Sequence, residues 1–300
     1  MKVLLEKIFQ ETKKSHSILA MTDLKDICRE TFKTDVPLAV EYLEKLSEEC
    51  EAIIPHLAAR DLDAARKVME LHKQVLLLGA QNNQFDFFLQ YLEWSRSPDK
   101  RFYLPRRKVL RPIVSAFQEV ADGKLDLLTV SQPKRTGKTT LGLLFVLFRA
   151  GKAPNGSSIC SGAGNDLVKS FYNGCLDILQ KPEEYLFYDI FPRATLISTN
   201  ADEKTINLET KKRFATITCR SIDGALTGST EATPEGVMYL DDLVGIYSES
   251  HRLRCEPRIV IIKHQCIYST VSDEHHDLHC RFTAVHSFQG KNLHKTTFIG

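Results

Sequence analysis

The sequence predicts an α/β fold: a mostly parallel sheet flanked by helices and preceded by a helical amino-terminal region. Three observations carry that prediction. Residues 1–98 show helical periodicity and no strand pattern. From Leu125 onward, short apolar runs alternate with helix-forming stretches. Two of the apolar runs also lead directly into polar segments of unusual composition, one basic and one acidic.

In the amino-terminal region, Phe85, Phe88, Leu89 and Leu92 recur at i, i+3, i+4 and i+7, the stripe of an amphipathic helix. Leu57 to Leu78 is rich in Ala, Leu, Lys and Glu, and Gly79 is placed to stop that helix. The region reads as a bundle that packs on the next domain or as a docking surface for a partner. Ser97-Pro98-Asp99 breaks the pattern and predicts a boundary, dividing the chain into 1–98, 99–246 and 247–300. Lys100 to Lys108 then interleaves five cations with Phe102 and Tyr103. Such a run is either a solvated face or a contact for nucleotide or DNA phosphates, with Phe102 or Tyr103 stacking on a base.

Leu125–Val130 is a short apolar strand, followed by a loop over Ser131–Lys138 and an apolar helix over Thr139–Arg149. Ser157–Ser161 predicts a second strand and Asn165–Gln180 a second helix. Thr205–Leu208 and Arg213–Cys219 alternate apolar and polar residues across Lys211-Lys212, which predicts a hairpin. Gly236–Leu240 is a third core strand, ending in two aspartates.

The basic segment is Gln132-Pro133-Lys134-Arg135-Thr136-Gly137-Lys138-Thr139-Thr140. Lying between strand and helix, it has the context of a phosphate-binding P-loop. Backbone amides there would cradle a β-phosphate, Lys138 would neutralise the β- and γ-oxygens, and the Thr139 hydroxyl would ligate Mg²⁺. Gln132 stands where the first glycine of the usual pattern belongs. The acidic segment, Val237-Met238-Tyr239-Leu240-Asp241-Asp242, has the form of a Walker B strand. Asp241 would hold the metal and Asp242 would orient or deprotonate the attacking water. Between them, Ile222–Ser229 is a glycine-containing loop, either a plain turn or a segment near nucleotide or DNA, and Arg220 is close enough in sequence to be an arginine finger.

Composition bounds the partners. With 43% hydrophobic and 26% charged residues the chain is an ordinary globular one, and a net charge of +2 excludes a histone-like basic mode of DNA binding. Eight scattered cysteines read as free thiols of a reducing compartment. No segment has the pattern of a signal peptide or a membrane span, so a cytoplasmic location without membrane contact is expected.

Taken together, these residues resemble the large subunits of phage and prophage terminases, from about Leu71 to Val244. The resemblance is carried by Arg101-Phe102-Tyr103-Leu104-Pro105-Arg106-Arg107, by Pro133 to Thr140, by Asp223-Gly224-Ala225-Leu226-Thr227-Gly228, and by Tyr239 to Val244. Terminases often lack the first P-loop glycine and carry basic residues before Gly-Lys-Thr, so Gln132 agrees with the family. The resemblance implies a P-loop NTPase fold of the additional-strand catalytic-glutamate type. It implies ATP and Mg²⁺ as cofactors and a homo-oligomeric ring that drives double-stranded DNA through a portal protein with help from a small subunit. It assigns phosphate and metal binding to Lys138, Thr139 and Asp241, and γ-phosphate sensing to Arg135 or Lys134. Asp242 departs from the glutamate found there in many members. Too few residues follow Asp242 for the family's nuclease domain, so this chain is not expected to cut DNA. Other P-loop DNA translocases or helicases are the rival enzymes, and a fragment that binds nucleotide without turnover is the rival outside enzymes.

The tail after Val244 differs in composition and holds most of the chain's ten histidines. It reads as an out-of-frame or disordered segment, as a genuine continuation with a strand at Arg258–Ile262, or as a zinc site using Cys266, His275, His279 and Cys280.

Overall fold

In the computed structural model, residues 1–131, 135–162, 164–221, 232–241, 258–262 and 293–298 are described. They fall into two units, residues 1–118 with 173–197 and residues 119–172 with 198–300. The first contains α1 (Lys2–Ser15), α2 (Ile18–Thr31), α3 (Val36–Ala58), α4 (Leu62–Gln81), α5 (Phe85–Leu92) and most of α6 (Arg107–Ala121). The second contains β1 (Leu125–Ser131), α7 (Lys138–Lys152), β2 (Ser158–Gly162) and the start of α8 (Asn165–Gln180). The end of α8 and α9 (Phe187–Ile190) belong to the first unit. The remaining strands are β3 (Leu196–Asn200), β4 (Thr205–Leu208), β5 (Ile217–Ser221), β6 (Met238–Asp241), β7 (Arg258–Ile262) and β8 (Leu293–Phe298).

Acidic caps start the two longest helices of the first unit. Asp35 accepts from the Leu38 amide at 3.1 Å, and Asp61 accepts from Asp63 and Ala64 at 3.1 and 3.0 Å. Each satisfies amides that have no partner within the helix. The interior differs from the sequence expectation in two places. First, α5 is buried on every side: Phe87 and Tyr91 are as enclosed as the predicted stripe of Phe85, Phe88, Leu89 and Leu92. With the ring of Phe191, at the end of α9, tilted against Phe88 at 5.9 Å, it is a core helix and not a half-wet one. Second, Gly79 does not stop a helix. A break at Ala59–Asp61 separates α3 from α4, and α4 runs through Gly79 to Gln81. A Cβ on Gly79 would overlap the Phe87 ring, so the missing side chain serves close packing of α4 on α5.

The second unit is built on one sheet with strand order β3-β4-β5-β2-β6-β7-β1-β8. It is mixed, which corrects the expectation of a mostly parallel sheet. β2 pairs in parallel with β5 and β6, and β1 with β8. The Thr205–Leu208 hairpin strand runs antiparallel to β5, and β7 lies between β6 and β1, antiparallel to both. A hairpin needs only a short turn, whereas a parallel pair needs a crossover, so β4 is antiparallel for local reasons. Lys212 fastens the end of that hairpin, donating to the carbonyls of Pro154 at 3.0 Å and Gly156 at 2.7 Å.

One sheet face is packed by α7 and α8. Gly142 of α7 lies so close to Tyr239 of β6 that a Cβ would overlap the ring, and Phe171 of α8 stacks on the same ring at 4.9 Å. Among the described residues no helix is long and apolar enough to cross a membrane.

Candidate functional site

Strand β6 alternates faces, so Tyr239 and Asp241 project to the same side, the side of α7. Helix α7 begins at Lys138, after Gly137 at φ 95° and Arg135 at φ 65°. Gly137 adopts the left-handed backbone freely, whereas Arg135 holds it at a cost of about 1 kcal/mol or more. The turn leaves the Arg135 and Thr140 side chains exposed and the Thr136 side chain partly covered. Lys138 is 8% exposed, and Thr139 faces the sheet.

The Thr139 hydroxyl donates to Asp241 Oδ2 at 2.7 Å, joining residues 102 apart in the chain. The Tyr239 hydroxyl donates to the same oxygen at 3.1 Å. Asp241 is 2% exposed. A buried carboxylate beside a threonine hydroxyl, at the start of a helix whose first residue is lysine, is a set of hard oxygen donors next to a cation. That donor set fits Mg²⁺, which takes one or two protein oxygens and completes its octahedron with water and phosphate oxygens. Thr139 and Asp241 are thus brought into contact, with Lys138 the preceding residue at the helix start. Tyr239 was not singled out by sequence reasoning. The signal for it was its position two residues before Asp241 in a strand, which places both on one face.

Gln132, Pro133, Lys134 and the proposed water-activating Asp242 lie outside the described residues, as do the Ile222–Ser229 loop and the histidine- and cysteine-bearing positions proposed for zinc. Arg220 is not brought to the pair. Its register partner is Ser161, whereas Gly162 is the register partner of Asp241, so Arg220 projects from the opposite sheet face. Beside Asp241, a cleft lined by Gly162, Cys160, Cys219, Val168 and Phe171 has room for about one water molecule and not for a base.

The basic segment that opens α6 is built differently. Asp86 accepts from the buried Tyr103 hydroxyl and from Arg107 at 3.2 and 2.7 Å. Glu93 accepts from the amides of Phe102 (2.9 and 3.0 Å) and Tyr103 (2.9 Å). Arg101 donates to the carbonyls of Arg96 at 2.9 Å and Trp94 at 2.8 Å. Burial pulls the Arg107 pKa down, but hydrogen bonds and charge from Asp86 more than reverse this and leave it raised. Burial and then Asp86 push the Tyr103 hydroxyl up. Tyr103 is therefore committed to the interior and cannot stack on a base. Three of the run's five cations, Lys100, Arg106 and Lys108, are exposed, as a solvated face requires, while Arg101 and Arg107 are held by the contacts above.

Comparison of the chain with protein-family models, with curated proteins and with solved structures finds no match. The resemblance therefore rests on the sequence motifs alone.

Proposed function

We propose that this chain is an ATP-hydrolysing motor domain of the terminase type, with a P-loop NTPase site at Lys138, Thr139 and Asp241. The observation that carries the reading is the Thr139–Asp241 hydrogen bond at 2.7 Å, which joins the P-loop helix to the end of the acidic strand. Lys138 at the helix start binds phosphate oxygens, and the helix dipole adds to its charge. Thr139 and Asp241 hold Mg²⁺, which supplies charge neutralisation on the phosphates when bound. Asp242 takes the proton of the water that attacks the γ-phosphorus, and the leaving group is ADP. Arg135, on an exposed strained turn, senses the γ-phosphate. Double-stranded DNA, a portal, a small subunit and a ring of like chains in the host cytoplasm are the partners this reading requires.

The deciding experiment is ATP hydrolysis by the full chain with Mg²⁺, with and without DNA, compared with Lys138→Ala. The expected result is turnover that the substitution abolishes. Equal turnover in the variant overturns the site. Nucleotide binding without turnover in the parent chain overturns the motor and leaves a nucleotide-binding fragment.

A further inference from the structure

The cleft beside Asp241 is walled in part by two thiols that the proposed nucleotide site does not use. Cys160 of β2 and Cys219 of β5 are direct register partners in parallel strands, so their side chains stand side by side. They lie on the sheet face that carries Tyr239 and Asp241, because Cys160 is also the register partner of Tyr239. Neither is in a disulfide, and both line the cleft, at 3% and 1% exposure. Neighbouring strands run about 4.8 Å apart, inside the Cα spacing of about 4.4–6.8 Å that a disulfide spans. The Cβ atoms of a disulfide stand closer, at about 3.8 Å, so linking this pair strains the strands and leaves a bond that is easily reduced. Cys28 and Cys50, on α2 and α3 of the first unit, differ in kind. Burial is the main cause that pushes each of their thiols up to about 12, which leaves almost no thiolate at neutral pH.

We propose that Cys160 and Cys219 are a reversible dithiol, closed to a disulfide by hydrogen peroxide that enters the cleft. The cleft has room for about one water molecule, a size that hydrogen peroxide approaches and a glutathione disulfide far exceeds. One thiolate attacks a peroxide oxygen: the O–O bond breaks, an S–O bond forms, and the displaced hydroxide leaves as water with the thiol proton. The second sulfur then attacks the first: the S–O bond breaks, the S–S bond forms, and a second water leaves with the second thiol proton. The two sulfurs together lose two electrons and the peroxide oxygens gain them. Only one thiol has to meet the oxidant, since its neighbour across the strand pair completes the reaction. A transient, easily reduced disulfide is also the kind that a reducing compartment tolerates. The site does not depend on nucleotide binding or hydrolysis.

The test treats the full, reduced chain with hydrogen peroxide in native buffer, blocks the remaining thiols with N-ethylmaleimide on unfolding, and maps the tryptic peptides by mass spectrometry. The expected product joins residues 153–169 to residues 214–220 through Cys160 and Cys219. It is expected to form several-fold faster than the Cys28 and Cys50 thiols are lost. Oxidised glutathione at the same concentration is expected to form the link several-fold more slowly than peroxide does. Reduced glutathione added afterwards is expected to restore both thiols. No link, or links from Cys160 or Cys219 mainly to other cysteines, overturn the proposal. Loss of Cys28 and Cys50 at the same rate shows that peroxide acts on opened chains and overturns it too. Equal linking by oxidised glutathione overturns entry through the cleft, and a link that survives reduced glutathione overturns the reversible assignment.

Discussion

Two carboxylates in this chain, Asp86 and Asp241, are each enclosed and each bound by a tyrosine hydroxyl, yet they have opposite uses. Asp86 is saturated by fixed partners: Tyr103, both forks of Arg107, and Gln90 at 2.7 Å. Its charge is balanced by a cation 21 residues away, and it ties Tyr103 and Arg107 to α5. Asp241 accepts from two neutral hydroxyls, Thr139 and Tyr239, at the start of a helix that opens with lysine. Hydroxyls can rotate toward another acceptor, so that carboxylate can exchange partners when a cation arrives. Two of the basic run's five cations, Arg101 and Arg107, are thus part of the internal structure, whereas the hydroxyls on Asp241 can turn to another acceptor.

The sharpest way to break this comparison is to neutralise each acid. Asp241→Asn keeps the shape of β6 and removes the proposed metal ligand. Hydrolysis is expected to fall by roughly a thousandfold, the effect of losing several kcal/mol of metal-borne stabilisation. Far-ultraviolet circular dichroism is expected to be unchanged. Asp86→Ala strands the Arg107 cation, whose side chain is 18% exposed, and is expected to cost about 3–5 kcal/mol in urea unfolding. Hydrolysis per folded molecule is expected to survive. If Asp86→Ala instead leaves stability intact and weakens DNA binding, the segment belongs to an interface after all.

A smaller effect tests the interior around the same arginine. His72 is buried, contacts the Ser47 hydroxyl at 2.9 Å, and packs edge-on to Trp94. Burial, with help from the Arg107 charge, lowers its pKa from 6.5 to about 4. The unfolded chain therefore binds a proton on this histidine between pH 6.5 and 4 when the folded chain does not. The stability contribution is full above pH 6.5 and is lost as pH falls toward 4, to a limit of about 3 kcal/mol. Glu51, 3.8 Å from the ring and raised in pKa by burial, opposes this, because its early protonation favours the folded state. Urea unfolding at pH 7 and pH 5 is expected to show lower stability at pH 5, and His72→Gln is expected to flatten the difference. An unchanged slope in the variant removes His72 as its source.

Legibility in the sequence depended on how local each signal is. Thr139 and Asp241 could be paired before the fold was known because each sits at a fixed step from a strand or helix end. The partners of Arg101, Arg107 and Tyr103 were not legible. Asp86 and Glu93 lie among aromatic residues on α5 and at its end, and nothing in their neighbourhood marks them as acceptors for a later loop. The mixed sheet was missed because β7 comes from the compositionally different tail and enters between β6 and β1. Gly79 was misread because glycine has two uses in helices, stopping them and admitting a neighbour, and only the position of Phe87 decides between them.

That glycine has a counterpart, and the pair gives the finest test of the comparison between the two regions. Gly79 of α4 admits Phe87, and Gly142 of α7 admits Tyr239, in each case where a Cβ would overlap the ring. In an exposed helix interior, glycine to alanine would gain about 1 kcal/mol of propensity. Here overpacking outweighs it, and a net loss of about 1–3 kcal/mol is expected for each. The consequences then diverge. Gly79→Ala displaces a ring that carries no polar group, so the midpoint of unfolding falls and hydrolysis per folded molecule stays constant. Gly142→Ala displaces Tyr239, whose hydroxyl holds Asp241 Oδ2, so hydrolysis falls along with stability. Tyr239→Phe separates packing from bonding: it keeps the ring against Gly142 and Phe171 and removes only the hydrogen bond at 3.1 Å. If Tyr239 positions the metal ligand, Tyr239→Phe is expected to raise the Mg²⁺ concentration needed for half-maximal hydrolysis. The unfolding midpoint should move by less than in Gly142→Ala. The same Mg²⁺ dependence in parent and variant would confine Tyr239 to packing and leave Thr139 as the hydroxyl that orients Asp241.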